Sequence, residues 1–162
     1  MPPKPVFVNW KTECYIYYYN DVGQQVKAHV GGVLLVPQGK HVYARALIQN
    51  QGDPGYVVFR VIDRKTKMEI AKTEPMWMNY LDEWIARLDL GTFEENIFSY
   101  PDIEIQFQTI ANDEVVDTAE FGIEVKSWAD IIEQIPQAGY LGIPWWIWAT
   151  LAIVGIAAIV RR

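Results

Sequence analysis

The stretch Asp102-Ile103-Glu104-Ile105-Gln106-Phe107-Gln108-Thr109-Ile110 has the most regular alternation of apolar and polar residues in the chain. Successive side chains of a β-strand point to opposite faces of the sheet. Ile103, Ile105, Phe107 and Thr109 therefore share one face, and the acids and glutamines share the other. The stretch predicts a strand with one face on a hydrophobic core and the other face in water.

The segments on either side of this stretch have a similar character. Tyr56-Val57-Val58-Phe59-Arg60-Val61-Ile62 also alternates, and residues 115–125 predict the last strand. Residues 76–90 fit both a helical and a strand period. We favour a strand for residues 83–90, because turn-forming residues recur about every 8–12 residues around them. About seven short strands of this kind predict a mainly β fold, a β-sandwich that spans residues 1–126 and includes an N-terminal hairpin before residue 40.

The C-terminal part of the chain follows a different pattern. From Ile143 to Val160 no residue is charged, and only Thr150 has a polar side chain. A helix over this range would be about 27 Å long, close to the hydrocarbon thickness of about 30 Å in a bilayer. A buried helix of a soluble protein would be expected to keep a polar face. We therefore predict one C-terminal transmembrane helix at residues 143–160.

The two ends of this predicted helix carry residues that are typical of membrane interfaces. Trp145, Trp146 and Trp148 crowd one end, and Arg161 and Arg162 close the other. Tryptophan and arginine anchor spanning helices at the boundary between lipid and water. We predict that these five residues are the membrane-interface anchors.

Small residues recur at every third position within the predicted helix. These are Ala149, Ala152, Gly155 and Ala158. Such a ridge lets a second helix approach closely, so it predicts helix packing and an oligomer formed through the membrane helix. The alternative is that alanine and glycine are simply common in such helices.

Residues 127–142 are predicted to connect the β-sandwich to the anchor. Ser127 is placed to cap a short amphipathic helix, and Pro136 begins a linker. This helix is too short to span a bilayer, so we expect it to pack on the body or to lie in the membrane interface.

The composition argues against several classes of function. The net charge of −6 is opposite to that of a nucleic-acid-binding domain, so we expect no nucleic acid on the body. The single cysteine, Cys14, excludes an internal disulfide and is expected to be a buried small hydrophobe. His29 and His41 lack a third ligand at metal spacing. Because no catalytic motif stands out either, we expect no enzyme activity, no cofactor and no metal.

One segment resembles a known family. Tyr43-Ala44-Arg45-Ala46-Leu47-Ile48-Gln49-Asn50-Gln51-Gly52-Asp53-Pro54-Gly55-Tyr56-Val57-Val58-Phe59-Arg60-Val61 is similar to immunoglobulin-like domains of prokaryotic cell-adhesion type, in which a strand ends in an Asn-x-Gly turn and the next strand carries the core. The resemblance covers residues 40–125. It implies an immunoglobulin-like β-sandwich that acts as a binding or spacer domain without catalytic residues, and it names no ligand.

The N-terminal run Tyr15-Ile16-Tyr17-Tyr18-Tyr19 is the strongest candidate for a protein contact. Residues 6–19 are predicted to be extended, so Tyr15, Tyr17 and Tyr19 share one face. If Ile16 faces the core, these three tyrosines form an exposed patch that could dock on a partner. The alternative is that both faces are buried within the sandwich.

The sequence leaves two leading hypotheses for the function. The first is a minor virion structural protein of a membrane-containing virus, which links a protein shell to a membrane. The second is a cell-surface adhesion or binding module displayed outside the cell. A third, weaker reading is an accessory subunit of a larger membrane enzyme complex. The expected partners are a lipid bilayer and other structural protein subunits of a shell or surface layer, and the expected location is a virion membrane or a cell membrane.

The sequence contains opposing signals about sidedness. Met1–Pro5 are not followed by the apolar region of a secretory signal peptide, which favours the first function. Arg161 and Arg162 favour the second, because positively charged residues mark the cytoplasmic end of a membrane helix.

Overall fold

The computed structural model describes residues 2–126, which form two β-sheets. The elements in chain order are β1 (Pro5–Phe7), α1 (Trp10–Glu13), β2 (Tyr15–Tyr19), β3 (Gln25–His29), β4 (Val33–Pro37), β5 (Val42–Asn50), β6 (Gly55–Asp63), β7 (Glu69–Lys72), β8 (Met76–Met78), β9 (Glu83–Gly91), β10 (Ile103–Ala111) and β11 (Glu114–Lys126). The strands predicted from alternation, β6 and β10, are confirmed. Phe59 and Phe107 lie on their inner faces and have no exposed surface.

The first sheet is built around β5. Strand β9 pairs along one edge of β5, and β1 and then β2 pair along the other edge, all antiparallel; β3 continues the sheet from β2. Between β1 and β2 the strand pairing with β5 is interrupted by the short helix α1. Asn9 begins this excursion with a left-handed backbone (φ 50°) and accepts the main-chain N–H groups of Thr12 and Glu13.

The second sheet has the order β4, β11, β10 and β6, with β7 and β8 following one another along the outer edge of β6. Strand β4 pairs parallel to the C-terminal half of β11, from Val33 opposite Gly122 to Pro37 opposite Lys126. The other pairs in this sheet are antiparallel. The N-terminal segment therefore contributes strands to both sheets, and the predicted N-terminal hairpin (β2 and β3) is an integral part of the sandwich.

The inner faces of the two sheets form one hydrophobic core. Ile16, Ala44 and Ile48 from the first sheet cluster with Phe59 and Phe107 from the second. The rings of Phe59 and Phe107 meet edge to face with 5.0 Å between their centroids. A shared core between two sheets confirms the predicted β-sandwich.

The strand registers place the loops at two opposite ends of the sandwich. At one end lie residues 20–24, 37–41, 63–68 and 92–102, together with the end of β11 at Lys126; we call this the exit end. At the other end lie residues 2–4, 51–55, 79–82 and 111–113. Strand β10 has nine residues, and the eight steps between them at about 3.3 Å each place its two ends about 26 Å apart.

Two local predictions about the fold have clear outcomes. The strand interpretation of residues 83–90 is confirmed, since β9 covers Glu83–Gly91. The extended interpretation of residues 6–19 is wrong at Trp10–Glu13, where α1 interrupts the run.

The predicted connector and anchor, residues 127–142 and 143–160, lie outside the described residues. Within residues 2–126, no helix is both long enough and apolar enough to cross a membrane.

Candidate interaction site

Asn50 is the last residue of β5, and its side chain connects several segments of the chain at the end of the sandwich that lies opposite the exit end. Its side-chain oxygen accepts the main-chain N–H groups of Lys4 (2.9 Å) and Gly52 (3.0 Å). Its side-chain nitrogen donates to the main-chain oxygens of Asp53 (2.9 Å) and Met78 (3.0 Å). One buried amide thus fastens the N-terminal segment, the β5–β6 turn and β8 to each other, which is what a fully satisfied buried polar group can do.

Two glycines let the N-terminal prolines pack against this turn. A Cβ atom added at Gly52 would lie 2.5 Å from the main-chain oxygen of Pro2, and one added at Gly55 would lie 2.3 Å from Cγ of Pro3. Real Cβ atoms do not approach other atoms this closely, so glycine allows the close approach of a backbone at Gly52 and of a proline ring at Gly55. The Asn-x-Gly turn that was identified in the sequence therefore packs against the N-terminal segment.

This packing creates an open groove of about 480 Å³. Its walls are prolines and aromatic rings, and its rim is polar. The lining residues are Pro2, Pro3, Pro54, Gly55, Tyr56, Val58, Pro75, Trp77, Ile110, Asn112 and Asp113. We call this surface, together with the neighbouring exposed residues Tyr80 and Leu81, the aromatic end.

The rings of the aromatic end are unusually exposed. Tyr56 is 62% exposed and Trp77 is 52% exposed. The two rings meet edge to face at 5.1 Å, and the Trp77 indole N–H donates to Asn79 Oδ1 at 3.2 Å. Large exposed tyrosine and tryptophan side chains that are held in a fixed arrangement are typical of protein contact sites. The arrangement can bind an apolar or proline-containing surface, and it offers no nucleophile paired with a base.

The structure places the predicted contact tyrosines on the outer face of the first sheet. Ile16 and Tyr18 belong to the core cluster, as the alternation requires, and Tyr15 and Tyr17 lie on the opposite face. However, Tyr15 is only 8% exposed and Tyr17 only 5% exposed, whereas Tyr19 is 44% exposed. The expected patch of three exposed tyrosines is therefore wrong for Tyr15 and Tyr17.

The reason is that these rings cover each other. Tyr17 lies between Tyr15 and Tyr19 at 5.6 Å from each, and it stacks on Tyr43 of β5 at 5.5 Å. Lys27 Nζ lies 4.4 Å from the centroid of the Tyr15 ring. Burial raises the pKa of Tyr17, which agrees with a packed ring. The contact of this face with a partner remains a prediction, and Tyr19 offers most of its accessible area.

The outer face of the second sheet is polar by contrast. Arg60 donates through Nε and Nη2 to Gln108 Oε1, which lies opposite it on β10. Gln108 donates to Gln106, and Gln106 donates to Glu120 on β11. These side chains therefore satisfy one another's hydrogen bonds across three strands.

The residues considered for chemistry occupy separate places. Cys14 has no exposed surface, and burial raises the pKa of its thiol to about 11. His29 is exposed on β3, and His41 binds Asp89 at 2.9 Å. Residues 2–126 contain no cluster of three or more His, Cys, Asp or Glu side chains arranged to hold a metal ion.

The predicted membrane residues fall in the part of the chain that the structure does not describe. These are the interface anchors Trp145, Trp146, Trp148, Arg161 and Arg162, and the helix-packing residues Ala149, Ala152, Gly155 and Ala158. Their roles remain predictions.

The aromatic end was missed by sequence reasoning although part of its signal was present. Alternation in β6 places Tyr56 on the face opposite Val57 and Phe59, so its exposure could have been predicted. The groove itself joins Pro2, Tyr56, Trp77 and Asn112, which are distant in the sequence and come together only through the strand registers.

No protein-family model matches the sequence, and no curated protein matches it. Among solved structures, a β-glucuronidase from glycoside hydrolase family 2 is similar over 75% of this chain and 13% of its own, with 12% identity and a TM-score of 0.45. The calcium-binding mutant of Bacteroides uniformis β-glucuronidase 2 is similar over 72% of this chain and 14% of its own, with 7% identity and a TM-score of 0.45.

The CARDB domain of a Pyrococcus furiosus protein, solved in complex with di-metal ions, matches a larger share of its own length. It is similar over 75% of this chain and 88% of its own, with 10% identity and a TM-score of 0.42. This chain therefore spans about one seventh of the two glucuronidase chains and most of the CARDB domain. At these scores and identities the likenesses carry no argument, and the assignment of a β-sandwich rests on the strand pairing described above.

Proposed function

We propose that the protein is a non-enzymatic, immunoglobulin-like β-sandwich module that residues 143–160 attach to a membrane as a C-terminal anchor. In this proposal it links a protein shell to that membrane, as a minor structural protein of a membrane-containing virion. The anchor holds the bilayer, and the aromatic end holds a structural protein subunit.

The observation that supports this proposal is the placement of the exposed rings relative to Lys126. Strand β11 ends at the exit end of the sandwich, and Tyr56 and Trp77 lie at the opposite end, about 26 Å away along β10. A domain tethered through its exit end would present its aromatic end away from the lipid. Such a polarity suits a linker between two layers.

The membrane part of the proposal is tested by flotation on a density gradient. The full chain is compared with a chain that ends at residue 142. The full chain is expected to float with membranes and to resist alkaline extraction, because insertion of a whole spanning helix is effectively irreversible. The shortened chain is expected to stay soluble. Equal behaviour of the two chains would contradict the anchor.

The partner part is tested by co-purification of a structural protein with the full chain. Trp77→Ala and Tyr56→Ala are expected to reduce recovery of the partner, because exposed aromatic anchors contribute most of the energy of an interface. Ile85→Ala is the matched control, since Ile85 is 43% exposed on β9 and lies outside the groove. Equal recovery with all three variants would contradict this site.

The alternative, an adhesion module displayed outside the cell, predicts a different sidedness. Protease added to intact cells would then digest the body. The virion proposal predicts that the body is protected in intact cells and again in purified particles, where a shell would cover it.

A further inference from the structure

The loop between β9 and β10 carries the most exposed apolar side chains at the exit end. Phe98 is 92% exposed, Ile97 is 78% exposed and Tyr100 is 77% exposed. They lie close together in the chain and form one apolar tip. A tip of this kind is not explained by the core, since none of the three belongs to the core cluster or packs against it.

The loop is firmly joined to the last residues of β11. Asp102 is 5% exposed, and its two carboxylate oxygens accept the main-chain N–H groups of Asn96 (2.9 Å) and Val125 (2.6 Å). The Asn96 side chain accepts the N–H of Phe98 at 3.0 Å and so fixes the turn that presents the ring. One buried carboxylate therefore ties the base of the apolar tip to the strand from which the chain continues.

Several charged side chains near the base of the tip form ion pairs. Lys126 binds Glu95 at 2.9 Å and Glu124 at 3.0 Å, and these carboxylates raise its pKa. Lys65 on the β6–β7 turn donates to Ser99 at 2.9 Å and binds Glu104 at 3.3 Å. Paired charges at the base of the tip lower the cost of bringing this end close to an apolar phase.

The chain continues from this end toward the uncharged segment at residues 143–160. We propose that the apolar tip formed by Ile97, Phe98 and Tyr100 inserts into the surface of the same lipid bilayer that holds the C-terminal segment. This inference rests on the proposed membrane attachment. The tip would give the domain a second contact with lipid, with Phe98 and Ile97 in the acyl boundary and Tyr100 at the headgroups.

The consequence of a second contact is orientation. A domain attached to the bilayer at a single point could adopt many tilts, because one attachment point does not fix orientation. Insertion of the tip would hold the exit end on the lipid and direct the aromatic end away from it. The tip would therefore act together with the aromatic end in joining two layers.

The test uses the full chain reconstituted in vesicles of phosphatidylcholine and phosphatidylglycerol. A single cysteine is introduced as Phe98→Cys and labelled with a polarity-sensitive fluorophore. Cys14 is expected to stay unlabelled because it has no exposed surface and its thiol pKa is raised to about 11. Ile97→Cys is a second reporter at the tip. Tyr80→Cys is the matched control, because Tyr80 is 62% exposed at the aromatic end.

The proposal predicts a blue shift of the label at residues 97 and 98, and a loss of its fluorescence when brominated lipids replace part of the phosphatidylcholine. The label at residue 80 is expected to show neither change. If the full chain floats with the vesicles and the labels at 97, 98 and 80 behave alike, the tip does not contact lipid and this inference is overturned while the anchor stands. If the full chain fails to float, the membrane attachment and this inference fall together.

Discussion

Asn50 has no exposed surface, and both atoms of its amide group make two hydrogen bonds each. Asn50→Ala would leave two main-chain N–H groups and two main-chain oxygens without this partner. We expect the free energy of unfolding of residues 1–126 to fall by about 2–4 kcal/mol, since each buried group left unsatisfied costs about 1–3 kcal/mol. Urea denaturation measures this change.

Gln51→Ala is the control for this substitution. Gln51 is exposed, and its side chain donates a hydrogen bond to that of Gln49. We expect its effect to stay within about 0.5 kcal/mol, as for most surface positions. Similar unfolding midpoints for the two variants would contradict the central role given to Asn50.

Cys14 provides a chemical test of burial. Its neutral thiol is favoured in the folded protein, because burial raises its pKa from 9.0 to about 11. We expect almost no reaction with a thiol-specific disulfide reagent at pH 8 in the folded state and full reaction in urea. Rapid reaction in the folded state would contradict the packing around α1.

The same shift in the pKa of Cys14 predicts how stability depends on pH. A pKa that is higher in the folded state means that the folded state holds the proton more tightly. The protonated thiol of Cys14 therefore makes its full contribution to the free energy of unfolding below pH 9. That contribution is lost as the pH rises from about 9 to about 11. Cys14→Ala should remove this part of the alkaline loss of stability, which denaturation at a series of pH values would show.

At the scale of elements, strand β2 contains both a buried tyrosine, Tyr17, and an exposed tyrosine, Tyr19, so their contributions to stability should differ. We expect Tyr17→Ala to lower the free energy of unfolding by about 3 kcal/mol, because large aromatic side chains that are buried cost about 3–5 kcal/mol when truncated. Tyr19→Ala should cost less than about 1 kcal/mol, since exposed positions contribute little. The same urea titration compares the two, and a larger effect at Tyr19 would contradict the burial seen here.

This difference also decides how a docking test on this face should be designed. Replacing Tyr15, Tyr17 and Tyr19 together would mix unfolding with loss of contact, because two of the three rings are buried. Tyr19→Ser alone keeps the packed rings and changes the most accessible one.

Elements that follow from the residue pattern of one segment could be predicted from the sequence. Elements that depend on how distant strands pair with each other could not. Strand β10 follows from the alternation of Ile105 and Phe107, and the Asn50–Gly52 turn follows from its residue types. Helix α1 was missed because the surrounding residues favour extended structure, and the excursion at Asn9 exists only because β1 and β2 share one edge of β5.

The candidate site was predicted less well than the fold for the same reason. The exposure of Tyr15 and Tyr17 was misjudged because their neighbour Tyr43 comes from another strand, and its place opposite Tyr17 depends on the β2–β5 register. The aromatic end depends on Pro2 and Pro3 folding back onto Gly52 and Gly55, a contact across about fifty residues. Alternation within one segment cannot reveal either arrangement.

At the scale of the whole molecule, the two ends of the sandwich have different surfaces. One carries Tyr56 and Trp77 beside a proline-lined groove, and the other carries Ile97 and Phe98 beside the point where β11 ends. In the proposed arrangement, the first end binds protein and the second end faces lipid. Because about 26 Å separates the ends along β10, one contact cannot substitute for the other.

The most direct measurement is site-specific photo-crosslinking of the full chain in the membrane that the proposed function assigns to it. A photoreactive amino acid replaces Trp77 in one variant and Val22, which is 77% exposed at the exit end, in another. We expect the probe at residue 77 to yield one discrete adduct with a structural protein, and the probe at residue 22 not to yield that adduct. No protein adduct at residue 77, or the same adduct from both positions, would contradict binding of the partner at the aromatic end.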